Sequence, residues 1–121
     1  MYLLRIQGEF HAAHFLNDYP GDCRRLHGHS WKVEAELAFL ELDTLGVATD
    51  FRSLKQTLKD ILPDHLLLND AYPGVNPTAE NLARILFQQL RAKQPEAVAL
   101  TVWESSNCGC RYTPEDERCS G

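Results

Sequence analysis

The sequence has no apolar run of the roughly 18 residues that a membrane-spanning helix needs, and its opening Met1-Tyr2-Leu3-Leu4-Arg5-Ile6-Gln7 turns polar too soon for a secretory leader. A cytoplasmic protein with no membrane contact is expected. Basic clusters are also missing. The formal charge is −5 and Arg24-Arg25 is the only adjacent basic pair, so the concentrated positive surface that phosphate backbones demand is absent and no nucleic-acid partner is expected. The four cysteines, at 23, 108, 110 and 119, do not sit in a small, loop-rich disulfide scaffold and are read as reduced thiols. Repeats and low-complexity segments are lacking, and 121 residues leave no room for a second domain. One domain over 1–113 is expected, with a loose charged tail over 114–121.

What is present is a clear alternation of periods. Residues Tyr2 to about His14 mix apolar and polar positions as an extended segment. Trp31, Val33, Ala35, Leu37 and Phe39 then recur at a spacing of two, the mark of a half-buried strand. Between them, Asn17-Asp18-Tyr19-Pro20-Gly21-Asp22 is a cluster of turn formers. Asp50 can cap a helix carrying Phe51, Leu54, Leu58 and Ile61, closed by Pro63, and Thr78 can cap a second with Leu82, Ile85, Leu86 and Leu90, ended by Pro95. Ala97–Glu104 and Gly109–Tyr112 complete the chain as a strand pair. The expected fold class is α+β, in the order ββααββ, with a four-stranded antiparallel sheet and two helices on one face. Such a chain covers one face only. Its other face or its edges must meet water or further copies of itself, so a homo-oligomer is expected.

Chemistry concentrates in Cys23-Arg24-Arg25-Leu26-His27-Gly28-His29. Two histidines at i and i+2 on extended backbone point to the same face, and both share the odd parity of the apolar set that follows. A third ligand must come from elsewhere, and His11 and His14 are both candidates. Three imidazoles with one open position describe a catalytic zinc site, whereas Cys23 as a fourth ligand would make a closed, structural one. A thiol beside a cation favours its thiolate and can act as a base. Arg24 and Arg25 either steer an anionic substrate or belong to a solvated loop.

Asp64-His65 is either a proton-relay pair, the carboxylate holding the imidazole's tautomer, or a helix-terminal acid beside a surface histidine. Glu104, inside an apolar strand, either faces solvent or accepts paired N–H donors such as the edge of a pterin ring. Cys108-Gly109-Cys110 lacks zinc-knuckle spacing and reads as packing or turn.

Together these segments resemble the 6-pyruvoyltetrahydropterin synthase family, and within it the bacterial 6-carboxytetrahydropterin synthase branch. The resemblance runs from Phe10 to about Tyr112. It is carried by Phe10-His11-Ala12-Ala13-His14, Cys23 through Ser30, Thr49-Asp50-Phe51, Asp64-His65 through Asp70, Asn76-Pro77-Thr78-Ala79-Glu80, and Val102-Trp103-Glu104. The short Cys-x3-His-Gly-His spacing favours the carboxy-forming branch. The resemblance implies zinc held by His14, His27 and His29, with Cys23, Asp64 and His65 catalytic. It also implies Glu104, Asp50, Phe51 and Thr78 as substrate-binding residues. The implied fold is the tunnelling fold, its sheets joined into a β-barrel in a hexamer of two trimers with interface active sites. The implied reaction turns 7,8-dihydroneopterin 3′-triphosphate, a small-molecule substrate, into 6-carboxy-5,6,7,8-tetrahydropterin, acetaldehyde and triphosphate in queuosine-precursor synthesis.

Two other functions are kept open. One is the pyruvoyl-forming synthase, which eliminates triphosphate without carbon–carbon cleavage, and the other is a non-catalytic, zinc-stabilised oligomeric binding protein. Leu66 departs from the family pattern, since many relatives carry a second histidine there.

Overall fold

Even-numbered side chains of the first strand and odd-numbered ones of the second turn toward the same side, and two helices close over them. The computed structural model describes residues 1–16, 21 and 25–114. Strand β1 (Tyr2–His14) pairs antiparallel with β2 (His27–Phe39) along its whole length, from Tyr2 opposite Phe39 to His14 opposite His27. Helix α1 (Phe51–Ile61) follows, capped as expected by Asp50, whose Oδ1 accepts the Arg52 N–H at 2.9 Å. Helix α3 (Ala79–Lys93) is capped by Thr78, whose hydroxyl accepts the Asn81 N–H at 3.1 Å. Strands β4 (Ala97–Ser105) and β5 (Cys108–Tyr112) then extend the sheet beside β2.

The sheet departs from the expected four antiparallel strands. Leu66–Leu67 form a short strand β3 that pairs parallel with Ala12 and Ala13, giving five strands among the described residues in the order β3-β1-β2-β4-β5. Residues Leu68–Ala71 add a single helical turn, α2. Both sit in the Asp64–Asp70 stretch that reads as loop, because two residues of strand and one turn of helix leave no periodicity to detect.

The covered face is a continuous apolar layer in which Ile6, Phe10, Trp31, Val33, Ala35 and Leu37 meet Leu54, Leu58, Leu82, Leu86 and Leu90. Phe10 and Trp31, cross-strand partners, stack with ring centroids 5.8 Å apart. Gly8 belongs to this face. A Cβ there would come within 3.1 Å of the Leu62 side chain and 3.3 Å of Leu58, so glycine lets α1 lie close on β1.

Among the described residues the opposite face carries no helix and is largely polar. Its one deeply buried acid, Glu36, is 5% exposed beneath Arg111, which donates from Nε to Oε2 at 2.7 Å and from Nη2 to Oε1 at 3.2 Å. These two bonds hold the Glu36 carboxyl below its ordinary value of 4.5. A carboxyl depressed on folding stabilises the fold above its unfolded pKa and loses that contribution as pH falls through the folded one. Glu36→Gln is therefore expected to cost about 1–2 kcal/mol near neutral pH, because Arg111 is half exposed and screened. Urea titrations should show the gap between wild type and variant closing below pH 4.5; a gap that persists at lower pH would show that charge is not its source.

Candidate metal centre and relay pair

At the end of the sheet the two histidine segments meet. His14 lies directly opposite His27, and His29 opposite Ala12, so the alternation that buries Phe10 and Trp31 delivers three imidazoles to the covered face. Their ring centroids are 4.4, 4.8 and 5.1 Å apart, and Trp31 meets His14 and His29 edge-on beneath them. Glu104 joins from β4. Ligand-type atoms of His14, His27, His29 and Glu104 all lie within 4.8 Å of one another.

Backbone carbonyls set the tautomers. His14 Nδ1 donates to the Pro77 carbonyl at 2.7 Å, and His27 Nδ1 donates to the Arg25 carbonyl at 2.7 Å. In a neutral ring each Nε2 is then left with a lone pair, the form that binds metal. His14, 1% exposed, and His29 are both pushed below the usual histidine pKa, chiefly by burial, which keeps them neutral. Among the described residues the Nε2 atoms of His14 and His29 are buried without a hydrogen bond, yet Glu104 Oε1 stands 3.4 and 3.0 Å from them. Buried acceptors crowding one point are costly unless a cation lies among them. Nitrogen donors with one carboxylate oxygen match zinc rather than calcium or magnesium.

His11 does not enter this cluster. Its odd parity puts it on the uncovered face, where its Nδ1 contacts Ser30 Oγ at 3.0 Å. Its backbone does something else. The His11 N–H donates to Asp64 Oδ1 at 2.8 Å, and the His11 carbonyl accepts the His65 N–H at 2.6 Å. This clamp holds His65 at φ 58°, a left-handed conformation that costs a non-glycine residue about 1 kcal/mol or more. Asp64 Oδ2 in turn lies 3.0 Å from His65 Nδ1, so the sequence neighbours do pair. The Asp64 carboxyl is held below the usual aspartate range, first by the His11 N–H and then by the imidazole, and stays ionised to orient His65.

Both groups border the end of the sheet from different sides. A cleft of about 600 Å³ there is lined by His11, Ser30, His65, Leu26 and Gly28 and reaches His29. Thr78 adjoins the cluster through Pro77, while Asp50 spends a carboxylate oxygen on its own helix and Phe51 is half exposed at that helix's start. Cys23 and Arg24 lie outside the described residues. The orienting carbonyls of Pro77 and Arg25 escape a sequence reading, since any residue type can supply a carbonyl.

The fold and the site define an α+β protein with a histidine-rich cluster that could hold a metal ion, at the end of a sheet covered on one side. The family described as 6-pyruvoyl tetrahydropterin synthase matches residues 3–115. A 6-carboxy-5,6,7,8-tetrahydropterin synthase of Synechocystis sp. is 35% identical over 120 residues, spanning 93% of both chains. One of Bacillus subtilis is 32% identical over 117 residues, 86% of this chain and 80% of that one. The structure of Caenorhabditis elegans 6-pyruvoyl tetrahydropterin synthase superposes with a TM-score of 0.84 at 22% identity, covering 94% of this chain and 96% of the other. The chain belongs to the 6-pyruvoyl tetrahydropterin synthase family, and its fold is the tunnelling fold expected from the sequence.

Proposed function

We propose that the protein is a zinc-dependent lyase that converts 7,8-dihydroneopterin 3′-triphosphate to 6-carboxy-5,6,7,8-tetrahydropterin, acetaldehyde and triphosphate, in the cytoplasmic supply of a queuosine precursor. The observation that carries this reading is the pair of buried Nε2 atoms of His14 and His29, unbonded among the described residues and facing one carboxylate. The names of the relatives from Synechocystis and Bacillus subtilis support the carboxy-forming product.

His14, His27 and His29 would hold the zinc, which when bound supplies Lewis-acid polarisation of a substrate hydroxyl. Glu104 accepts the two adjacent N–H donors on the pterin's edge, and Thr78, Asp50 and Phe51 complete the binding surface. Cys23 Sγ accepts a carbon-bound proton. His65 exchanges protons at Nε2 while Asp64 keeps Nδ1 oriented. Replacing Cys23 with alanine is then expected to lower turnover of dihydroneopterin triphosphate by about 10²–10⁴-fold with zinc content unchanged. Full turnover would remove Cys23 as the base, and loss of zinc would make it a ligand instead.

Assembly follows from the sheet's open margins. Beyond its two-residue pairing with β3, the outer edge of β1 has no strand among the described residues, and β5 has none on its far side. Tyr2, Leu3, Leu40, Leu45 and Phe51 are exposed apolar residues. Free edges and exposed apolar side chains are what closed symmetric assembly conceals, in keeping with a hexamer of two trimers joined into barrels. In that assembly the relay of one subunit serves the metal centre of its neighbour.

A further inference from the structure

Alternation along β4 turns Leu100, Val102 and Glu104 to the covered face and Trp103, opposite Lys32, to the uncovered one, and the pairing with β5 is interrupted at Glu104 itself. Along β4 and β5, Trp103 is paired with Gly109, and the next pair is Ser105 with Cys108. Two steps on β4 thus answer one step on β5. Glu104 is the extra residue of a β-bulge, left without a partner on β5. Trp103, immediately before the bulge, lies on the uncovered face with its ring against Gly109 of β5. A Cβ at Gly109 would lie 2.6 Å from Trp103 Cε3, 2.7 Å from Cδ2 and 3.0 Å from the Val102 carbonyl oxygen. No real side chain occupies such a space. An alanine at 109 must lift the indole, and the indole belongs to the residue immediately before Glu104.

We propose that Gly109 is a positioning residue: by admitting the Trp103 ring against β5 it holds the backbone at 103–104 where the Glu104 carboxylate meets His14 and His29. Cys108-Gly109-Cys110 therefore acts through its central glycine. The role rests on the reading of His14, His27 and His29 as metal ligands but requires no particular pterin reaction.

The test uses the full chain loaded with cobalt(II), whose visible spectrum reports the ligand field at the cluster. Gly109→Ala is expected to shift that spectrum in the same sense as Glu104→Gln and to weaken cobalt binding no more than Glu104→Gln does, because the carboxylate stands 3.0 Å from the His29 Nε2 and acts on the ion as a neighbouring negative charge. In a Glu104→Gln background the further change Gly109→Ala should add nothing. Gly109→Ala with Trp103→Leu, where no rigid ring meets the new Cβ, should return the spectrum toward wild type.

A wild-type spectrum and affinity for Gly109→Ala would overturn the proposal, as would effects that persist undiminished without the Glu104 carboxylate. If Gly109→Ala alone fails to fold, the double variant decides. A folded double variant with the wild-type spectrum supports the positioning role, and one with the Glu104→Gln spectrum, or one that also fails to fold, overturns it. Failure of the wild type to transform any pterin, with this spectral pattern intact, would sink the proposed reaction and leave the role of Gly109 standing.

Discussion

Replacing His14 with alanine is expected to abolish turnover and to lower zinc affinity at least about 100-fold, because in the proposed site removing one imidazole takes away a direct ligand bond on top of its orienting contacts. His14 is also buried against Trp31, so the variant loses packing as well as a ligand. His29→Ala separates the two effects. His29 is about a quarter exposed, so its removal should empty the site at a smaller cost in stability. Zinc content after dialysis against a chelator, read beside a thermal melt, checks both. Retention of one tightly bound zinc per subunit in either variant would show that these imidazoles are not the ligands. Because burial holds His14 and His29 below the usual histidine pKa, proton competition for them sets in later on acidification. Zinc should therefore stay bound to lower pH than free imidazole ligands would allow.

Mixing two inactive variants is expected to restore activity. The histidine cluster occupies the helix-covered face, whereas the Asp64–His65 pair is clamped to the backbone of His11, whose side chain lies on the other face. His29→Ala damages one half-site and His65→Ala the other. If each active site draws its cluster from one subunit and its relay from the next, co-refolding the two in equal amounts leaves about a quarter of the sites with both halves intact. Activity should return to about that fraction of wild type, from variants that are each nearly inactive. No recovery, with mixed assemblies demonstrated by mass, would place cluster and relay of one site in a single subunit.

Much of this arrangement was legible in the residues because period and chemistry coincide. The odd parity shared by His27, His29 and Trp31 puts the imidazoles on the covered face before any coordinates are known, and β2 does begin at His27. Asp50 and Thr78 announce both long helices. What stayed hidden depends on long-range pairing. Leu66–Leu67 become a strand only because Ala12 and Ala13 offer an edge, and the two-residue segment has no pattern of its own. Choosing His14 over His11 took the family resemblance, since either sits at a workable distance in sequence. The register shows the physical reason, which is that the two residues point to opposite faces. Glu104 was visible as an acid in an apolar strand, but only the register of β4 on β2 shows that the face it shares with Leu100 and Val102 brings it to the imidazoles. Cys23 and Arg24 rest on the sequence alone.

The most direct measurement is product identification after zinc-loaded protein meets 7,8-dihydroneopterin 3′-triphosphate. The account predicts 6-carboxy-5,6,7,8-tetrahydropterin by mass spectrometry, with acetaldehyde and triphosphate released in equal amounts. A 6-pyruvoyl product without acetaldehyde would contradict the carbon–carbon cleavage, and unchanged substrate in the presence of a filled metal site would contradict the enzyme.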